Sequence, residues 1–283
     1  QEQGSELHPN GGRPSKDGER RGIVNGAEIV KISGNSKDFP VFFRTDVIGL
    51  LGRDYKQYYE NESGICDSST AKTVRAFHKL TGYPHVLKKI KKVNADNFTI
   101  EQLRREADIL ARIDHPNIIR TLGHYEDSEH IIVTSEYVEA ENLADVIESR
   151  SFSEEEAAAI MKQIFSALAY LHQHNIIHRN LTPENILCET VEGQMLIRIA
   201  GFTRAVISDP EQPVTEEIPL GNECYLSPEM FSHRVTALTD VWSAGCILYE
   251  LLSGNKAFDE GNLQDTREVI QKGDFSMEGG NWD

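Results

Sequence analysis

Polar side chains able to do chemistry are concentrated in residues 176–187, which read IIHRNLTPENIL. The central asparagine, Asn180, carries an amide, and an amide has no basic lone pair with which to accept a proton. The hydroxyl of Thr182 carries no charge with which to hold an anionic group. Asn185, near the end of the stretch, offers one neutral amide oxygen. These residue types predict a loop of polar groups without acid–base chemistry.

This stretch resembles the catalytic loop of eukaryotic protein kinases, whose pattern is H-R-D-L-K-P-E-N. Histidine, arginine, proline, glutamate and asparagine stand where the family has them. Asn180 occupies the position of the catalytic aspartate, and Thr182 occupies the position of the lysine that serves the phosphoryl group. The resemblance implies that the loop is kept while its two reactive residues are replaced.

Further motifs of the same family follow in order along the chain. They are residues 115–118 (HPNI), residues 201–203 (GFT, at the D-F-G motif), residues 221–229 (GNECYLSPE, at the end of the activation segment) and residues 239–245 (TDVWSAG, at the central C-lobe helix). Residues 271–275 and 281–283 resemble the segment after helix G in calcium/calmodulin-dependent kinases and their calcium-dependent relatives. The resemblance implies an α+β, bilobal protein kinase-like fold with a small β-rich N-lobe and a helical C-lobe that is truncated at its end.

The N-lobe shows where the nucleotide-binding pattern is incomplete. Residues 86–90 read as a strand, and Lys88 stands where a kinase lysine holds the ATP phosphates. Residues 66–73, where a glycine-rich loop would lie, contain no glycine, although glycine is what lets backbone amides approach phosphates closely. Val86 replaces a small residue over the adenine ring, so the slot is narrower. Glu106 stands where a helix glutamate pairs with the lysine, and we expect this pair to be architectural.

The metal-binding positions are replaced as well. In the family, the aspartate of D-F-G binds the Mg²⁺ that bridges the β- and γ-phosphates. Gly201 offers no carboxylate, and the single amide oxygen of Asn185 is a poor site for a hard, strongly hydrated cation. Asn222 replaces a threonine that contacts the catalytic aspartate and lysine. We therefore expect no metal, no cofactor and no catalytic residue; Lys88, Glu106 and Asn185 would be remnants of a nucleotide site, and ATP binding is left open.

Structural features are predicted together with the motifs. Thr99 is expected to begin one helix with a capping box, and Ser153 is expected to begin the strongest helix of the chain in the same way. By the resemblance, Asp240 would cap the backbone of the catalytic loop. His178 and Phe202 would stack in the hydrophobic column that links the two lobes.

Composition divides the chain into three regions. Residues 1–38 are rich in glycine and polar residues and nearly lack aromatics, which predicts a flexible tail or a partner-bound arm. Residues 39–54 hold two apolar clusters, which either pack on the following domain or dock another protein. The kinase-like domain is predicted to span residues 55–283. Its N-lobe would be residues 55–135, its hinge residues 136–139 and its incomplete C-lobe residues 140–283.

The net charge and the cysteines limit which partners and which cellular location are expected. The net charge of −16 argues against nucleic acid or an anionic membrane surface as the main partner. No apolar run reaches membrane-spanning length, so membrane insertion is not expected. The four cysteines lack a C-x-x-C pair and look like free thiols of an intracellular, cytoplasmic protein, although an organelle is left open because the amino terminus could be processed.

These observations predict a catalytically inactive protein kinase-like domain, a pseudokinase, that works through contacts with other proteins. It would act as a scaffold, an allosteric partner or a structural subunit of a larger complex. The alternatives are an unorthodox or weak serine/threonine kinase, and a nucleotide-sensing switch that binds ATP without turnover. Phosphorylation of Thr215 or its neighbours is left open.

Overall fold

The computed structural model describes residues 20–24, 27–31, 50–51, 54–67, 71–94, 97–208, 214, 223–232 and 234–277. The chain divides into two units, Gln1–Gly49 and Leu50–Asp283. Several positions that the sequence singles out lie outside the described residues: Asn222, Thr215, most of residues 1–54, residues 68–70 of the glycine-free loop and the closing residues 278–283.

The first unit contains a β-hairpin. Strand β1 (Arg20–Val24) pairs antiparallel with strand β2 (Ala27–Lys31), with Arg20 opposite Lys31. The composition of residues 1–38 did not predict this hairpin. The division of the chain at residues 38 and 54 stays a prediction.

A six-stranded sheet forms the N-lobe of the second unit. Its strands are β3 (Leu50–Leu51), β4 (Tyr59–Asp67), β5 (Ala71–His78), β6 (Pro84–Lys91), β7 (Thr121–Glu126) and β8 (His130–Glu136). The spatial order is β3-β7-β8-β6-β5-β4, in which β3 runs parallel to β7 and every other neighbouring pair is antiparallel. The alternation in residues 86–90 predicted the centre of β6. The strand is longer than predicted at both ends: Pro84 pairs with Phe77 of β5, and Lys91 pairs with His130 of β8.

Alternating side chains give the sheet one buried face. Leu87 of β6 is fully buried while its neighbours Val86 and Lys88 are partly exposed on the other face. Burial of a leucine side chain of this kind contributes about 1.5–3 kcal/mol. The apolar cluster on the buried face comprises Tyr55, Tyr59, Val74, Ala76, Leu87, Tyr125 and Ile132.

Helix α1 (Asn97–Arg112) lies between β6 and β7 in the chain. The sequence placed its start at Thr99, but the helix already includes Asn97, so Thr99 lies inside the first turn rather than at the cap. Ala107, Ile109 and Leu110 are buried, and Glu106 is buried beside them. The helix therefore brings a carboxylate into the interior of the N-lobe.

The C-lobe is mainly helical. Its elements are β9 (Glu141–Asn142), α2 (Leu143–Ser149), α3 (Glu154–Gln173), β10 (Ile176–Ile177), β11 (Ile186–Val191), β12 (Gln194–Ile199), β13 (Val206–Ile207), α4 (Leu238–Ser253) and α5 (Leu263–Lys272). Strands β12, β11 and β9 form one small sheet, and β10 pairs with β13. Residues 137–140 connect the two lobes without regular structure.

Helix α3 begins as the sequence predicted. The Ser153 hydroxyl accepts from the Glu156 backbone N–H at 3.2 Å, and the Glu156 carboxylate accepts from the Ser153 backbone N–H at 2.9 Å. This reciprocal pair satisfies two N–H groups that the first turn would otherwise leave without a partner. Ile160, Ile164 and Leu168 lie on its buried face and anchor the core of the C-lobe.

The predicted α+β fold with a small sheet-based N-lobe and a helical C-lobe is confirmed in the described part of the chain. Among the described helices, none has the length and apolar content needed to cross a membrane.

Candidate functional site

A cleft of about 450 Å³ lies between the N-lobe sheet and the C-lobe. Val86 and Lys88 of β6 line it from the sheet, and Leu187 of β11 lines it from the C-lobe. Val86 and Leu187 give the cleft two opposed apolar walls, which suits a flat ring. Glu136 and the connector between the lobes, residues 137–140, line one side.

Lys88 and Glu106 form an ion pair at the inner end of this cleft. The Lys88 Nζ lies 2.9 Å from Oε2 and 3.1 Å from Oε1 of Glu106. The Glu106 side chain is 6% exposed and the Lys88 side chain is 30% exposed. The carboxylate is therefore enclosed, and the ammonium is presented to the cleft with a fixed orientation.

Thr203 joins this pair, and the sequence reasoning did not assign it any role. Its hydroxyl accepts from Lys88 Nζ at 2.8 Å and donates to Glu106 Oε2 at 3.2 Å. The signal that could have found it is a side chain at the third position of residues 201–203, where the resembled D-F-G motif has a glycine.

Asp240 holds the backbone of the loop at residues 178–185, as the sequence predicted. Its carboxylate accepts from the backbone N–H groups of His178 and Arg179, each at 2.9 Å, and it is fully buried. Arg179 has a φ of +60°, a conformation that a non-glycine residue seldom adopts, so the carboxylate stabilises a strained turn.

His178 connects this loop to the end of the cleft. Its ring packs edge-on against Phe202, with centroids 4.6 Å apart, as the sequence predicted. Burial lowers the pKa of His178, so the imidazole is neutral. The Nε2–H donates to the Ala200 carbonyl at 2.9 Å, which leaves Nδ1 to accept from the Asn180 backbone N–H at 3.3 Å. His178 thus orients the loop.

Gly201 and Asn185 occupy one small space. Gly201 has a φ of +80°, and a β-carbon on it would lie 2.5 Å from Cγ and Oδ1 of Asn185. The Asn185 Nδ2 donates to the Asn180 backbone carbonyl at 2.9 Å, which holds the amide in this position. A side chain at this position would therefore require the Asn185 amide to move, and the left-handed backbone conformation also favours glycine.

The remaining predicted positions are spread around this centre. The Asn180 Nδ2 lies 3.5 Å from the Gly201 carbonyl, at the limit of a hydrogen bond. Thr182 is 2% exposed, and its hydroxyl has no hydrogen-bond partner within the described part of the chain. Lys88, Glu106 and Gly201 line the cleft. Asn222 lies outside the described residues.

The back of the cleft carries a second hydroxyl that the sequence reasoning missed. Thr121 of β7 pairs across the sheet with Ser135 of β8, and both residues line the cleft. Thr121 is 5% exposed, and its hydroxyl has no hydrogen-bond partner within the described ranges. Because Thr121 and Ser135 are both small, the back of the cleft has open space next to Leu110 and Phe202.

The donor atoms near Gly201 are amides rather than carboxylates. Asn185 and Asn180 contribute neutral oxygens, and Mg²⁺ prefers carboxylates together with phosphate oxygens. Within the described part of the chain, no group of three or more His, Cys, Asp or Glu residues could hold a metal ion. The side chains described there do not fit a protein-held divalent cation.

Comparison with known proteins places this geometry in context. Residues 59–279 match the protein kinase domain family. A protein named calcium-dependent protein kinase 5 from Plasmodium berghei (strain Anka) is 34% identical over 271 residues, which are 93% of this chain and 47% of the relative. The protein of the same name from Plasmodium falciparum (isolate 3D7) is 36% identical over 251 residues, 86% of this chain and 43% of the relative. Calcium-dependent protein kinase 4 of Plasmodium berghei is 32% identical over 257 residues, 89% of this chain and 47% of the relative.

The chain spans about half the length of the curated relatives it matches. The resemblance to the calcium-dependent protein kinase group is confirmed by these matches. Calcium dependence is stated in the names of these relatives and is a property of those proteins.

The same matches correct the functional predictions. The expectation of a catalytically inactive pseudokinase acting as a scaffold, an allosteric partner or a structural subunit is wrong, because the matched family and relatives are kinases. The expectation that the chain is not an enzyme is wrong for the same reason. The expectation of no cofactor is also wrong, since protein kinases use ATP with Mg²⁺. The ion pair and the cleft are both formed, although four positions differ from the family pattern.

Proposed function

The chain belongs to the protein kinase family, and on this basis we propose that it is an unorthodox serine/threonine kinase that binds ATP in the cleft and transfers phosphate slowly. The observation that carries the proposal is the Lys88–Glu106 ion pair, formed at 2.9 Å and facing the cleft. The relatives named as calcium-dependent protein kinases support the reaction class.

Binding follows from the charges and walls of the cleft. The Lys88 ammonium would attract a phosphate oxygen, because an ammonium is a strong donor to an anionic oxygen. The buried Glu106 carboxylate holds the ammonium in a fixed orientation. Val86 and Leu187 would enclose the base of the nucleotide between their apolar side chains, and the connector at residues 137–140 would limit its depth.

Transfer would depend on position more than on proton abstraction. The oxygen of a serine or threonine hydroxyl attacks the γ-phosphorus, the bond to the β,γ-bridging oxygen breaks, and ADP leaves. The transition state of such transfers is largely dissociative in most analyses, so little proton transfer is needed early. Asn180 can hold the attacking hydroxyl by a hydrogen bond but cannot accept its proton, which passes to a phosphate oxygen or to water.

The rate should reflect this construction. Absence of a general base typically costs about 10²–10⁴ in rate, and typical kinases turn over about 1–100 times per second. We therefore expect turnover that is slower than a typical kinase by roughly that factor.

The protein partner would be the phosphorylated substrate. A net charge of −16 favours a basic protein substrate over an acidic one. All four cysteines are free thiols, which is consistent with the expected intracellular location.

Substitution of Lys88 tests the proposal. Lys88→Ala should abolish the rise in unfolding temperature on adding ATP and should abolish phosphate transfer to a basic serine-containing peptide, measured as ADP release and as radiolabelled product. Lys91→Ala is the matched control, since Lys91 is an exposed lysine of the same strand. Transfer that survives Lys88→Ala, or ATP binding by the wild-type protein without any turnover, would overturn the proposal.

A further inference from the structure

Three acceptor atoms of the protein lie around the Lys88 ammonium. It has three N–H donors, and three acceptor atoms lie within 3.1 Å of it: both carboxylate oxygens of Glu106 and the hydroxyl oxygen of Thr203. A phosphate oxygen that approaches Lys88 therefore competes with these acceptors for its N–H groups.

Glu106 is the acceptor that cannot be released easily. Its side chain is 6% exposed, and a buried carboxylate that loses its counter-charge is left in a low-dielectric environment at a large cost. Thr203 is neutral and only partly buried. After losing the bond from Lys88, its hydroxyl still donates to Glu106 Oε2, so it does not become an orphaned donor.

The surrounding structure keeps Thr203 at this place. It lies in a short 3₁₀ turn, Phe202–Arg204, and Phe202 is fully buried against His178. The backbone of Thr203 is therefore anchored by its neighbour, and the exchange at Lys88 would need movement of side chains only.

We propose that Thr203 is a positioning residue whose hydroxyl occupies the phosphate-binding direction of Lys88 in the nucleotide-free protein, and that a phosphate oxygen of ATP takes its place on binding. This rests on the proposed ATP-binding function. The hydroxyl keeps the ammonium oriented when the cleft is empty, and it weakens ATP binding by competing for the same N–H.

Thr203→Val removes the hydroxyl while keeping the shape of the side chain. We expect about 3- to 10-fold tighter ATP binding, the value of one hydrogen bond to a charged group less the part that water replaces. The KM for ATP should fall by a similar factor while kcat stays unchanged, because Thr203 would act on the nucleotide-free protein and not on the transition state. Thr203→Ser should behave like the wild type.

The measurements are displacement of a fluorescent ATP analogue and steady-state kinetics, which separate the KM for ATP from kcat. Thr81→Val is the matched control, since Thr81 also makes two hydrogen bonds in the N-lobe but bonds to His78 and Tyr83 in a turn.

The outcomes separate this proposal from the proposed function. Equal or weaker ATP binding by Thr203→Val, with measurable binding by the wild type, would overturn the role of Thr203 alone. No ATP binding by either protein would overturn both. A fall in kcat that equals the fall in KM would show that Thr203 acts on the transfer step and would also overturn its role as a positioning residue.

Discussion

Substitution of Gly201 by alanine tests how tightly the centre of the site is packed. The structure places a β-carbon at this position 2.5 Å from Cγ and Oδ1 of Asn185, far inside van der Waals contact. The Asn185 amide must then move, which breaks its 2.9 Å hydrogen bond to the Asn180 carbonyl. We expect Gly201→Ala to lower the free energy of unfolding markedly.

Three contributions set the magnitude. The left-handed backbone conformation costs a non-glycine residue roughly 1–2 kcal/mol. Forcing an extra carbon into a filled space typically costs about 1–3 kcal/mol. The lost hydrogen bond of Asn185 adds about 1 kcal/mol. The sum is roughly 3–6 kcal/mol, of which about 2–4 kcal/mol comes from the contact with Asn185.

The assay compares melting temperatures of two glycine variants. Gly193→Ala is the matched control, because Gly193 has a φ of +79° and a β-carbon added to it would meet no atom within 4 Å. It should show the conformational cost alone. For a domain of this size, about 1 kcal/mol corresponds to roughly 2–4 °C, so Gly201→Ala should melt about 4–16 °C below Gly193→Ala.

Equal melting temperatures for the two variants would refute tight packing at Gly201. The filled space beside Asn185 also has a functional consequence that can be checked in parallel. Gly201→Asp alone should not raise the rate of phosphate transfer, because the new carboxylate would enter space that Asn185 already fills. A large gain in rate from this single substitution would contradict the geometry of the site.

Two further predictions concern the N-lobe. Burial lowers the pKa of His85 to about 4. Between about pH 6.5 and 4 the histidine is therefore protonated in the unfolded chain but neutral in the folded protein. The free energy of unfolding should decrease as the pH falls through this range. His85→Phe should flatten this decline in melting temperature between pH 7.5 and 4.5, and an unchanged slope would contradict the assignment. Thr121→Val should raise the free energy of unfolding by about 1–2 kcal/mol, since it removes a buried hydroxyl without a described partner. A lower melting temperature by calorimetry would show that this hydroxyl has a stabilising partner.

Local patterns in the sequence determined much of the fold. The capping box at Ser153 depends on two residues three positions apart, and short-range spacing of this kind can be read directly. The strand centred on Leu87 followed from alternation. The start of α1 was misplaced by two residues because Thr99 has a capping composition inside a helix that already includes Asn97.

The resemblance carried the long-range part of the prediction. It placed Lys88, Glu106 and Asp240 in their positions, and the structure shows the ion pair and the cap that it implied. It also led to the wrong prediction of an inactive protein. That prediction used the chemistry of single side chains, such as the amide of Asn180 and the missing carboxylate at Gly201. They do not describe whether the cleft and the ion pair are assembled.

Tertiary structure alone decided the contacts on which the proposed roles of Lys88 and Thr203 depend. These two residues are 115 positions apart in the chain and 2.8 Å apart in space, and no local pattern relates them. The collision between Asn185 and a side chain at Gly201, and the open space beside Thr121, likewise depend on elements that meet only after folding. Sequence spacing encodes the geometry of one helix or strand, whereas these contacts depend on how several elements pack against one another.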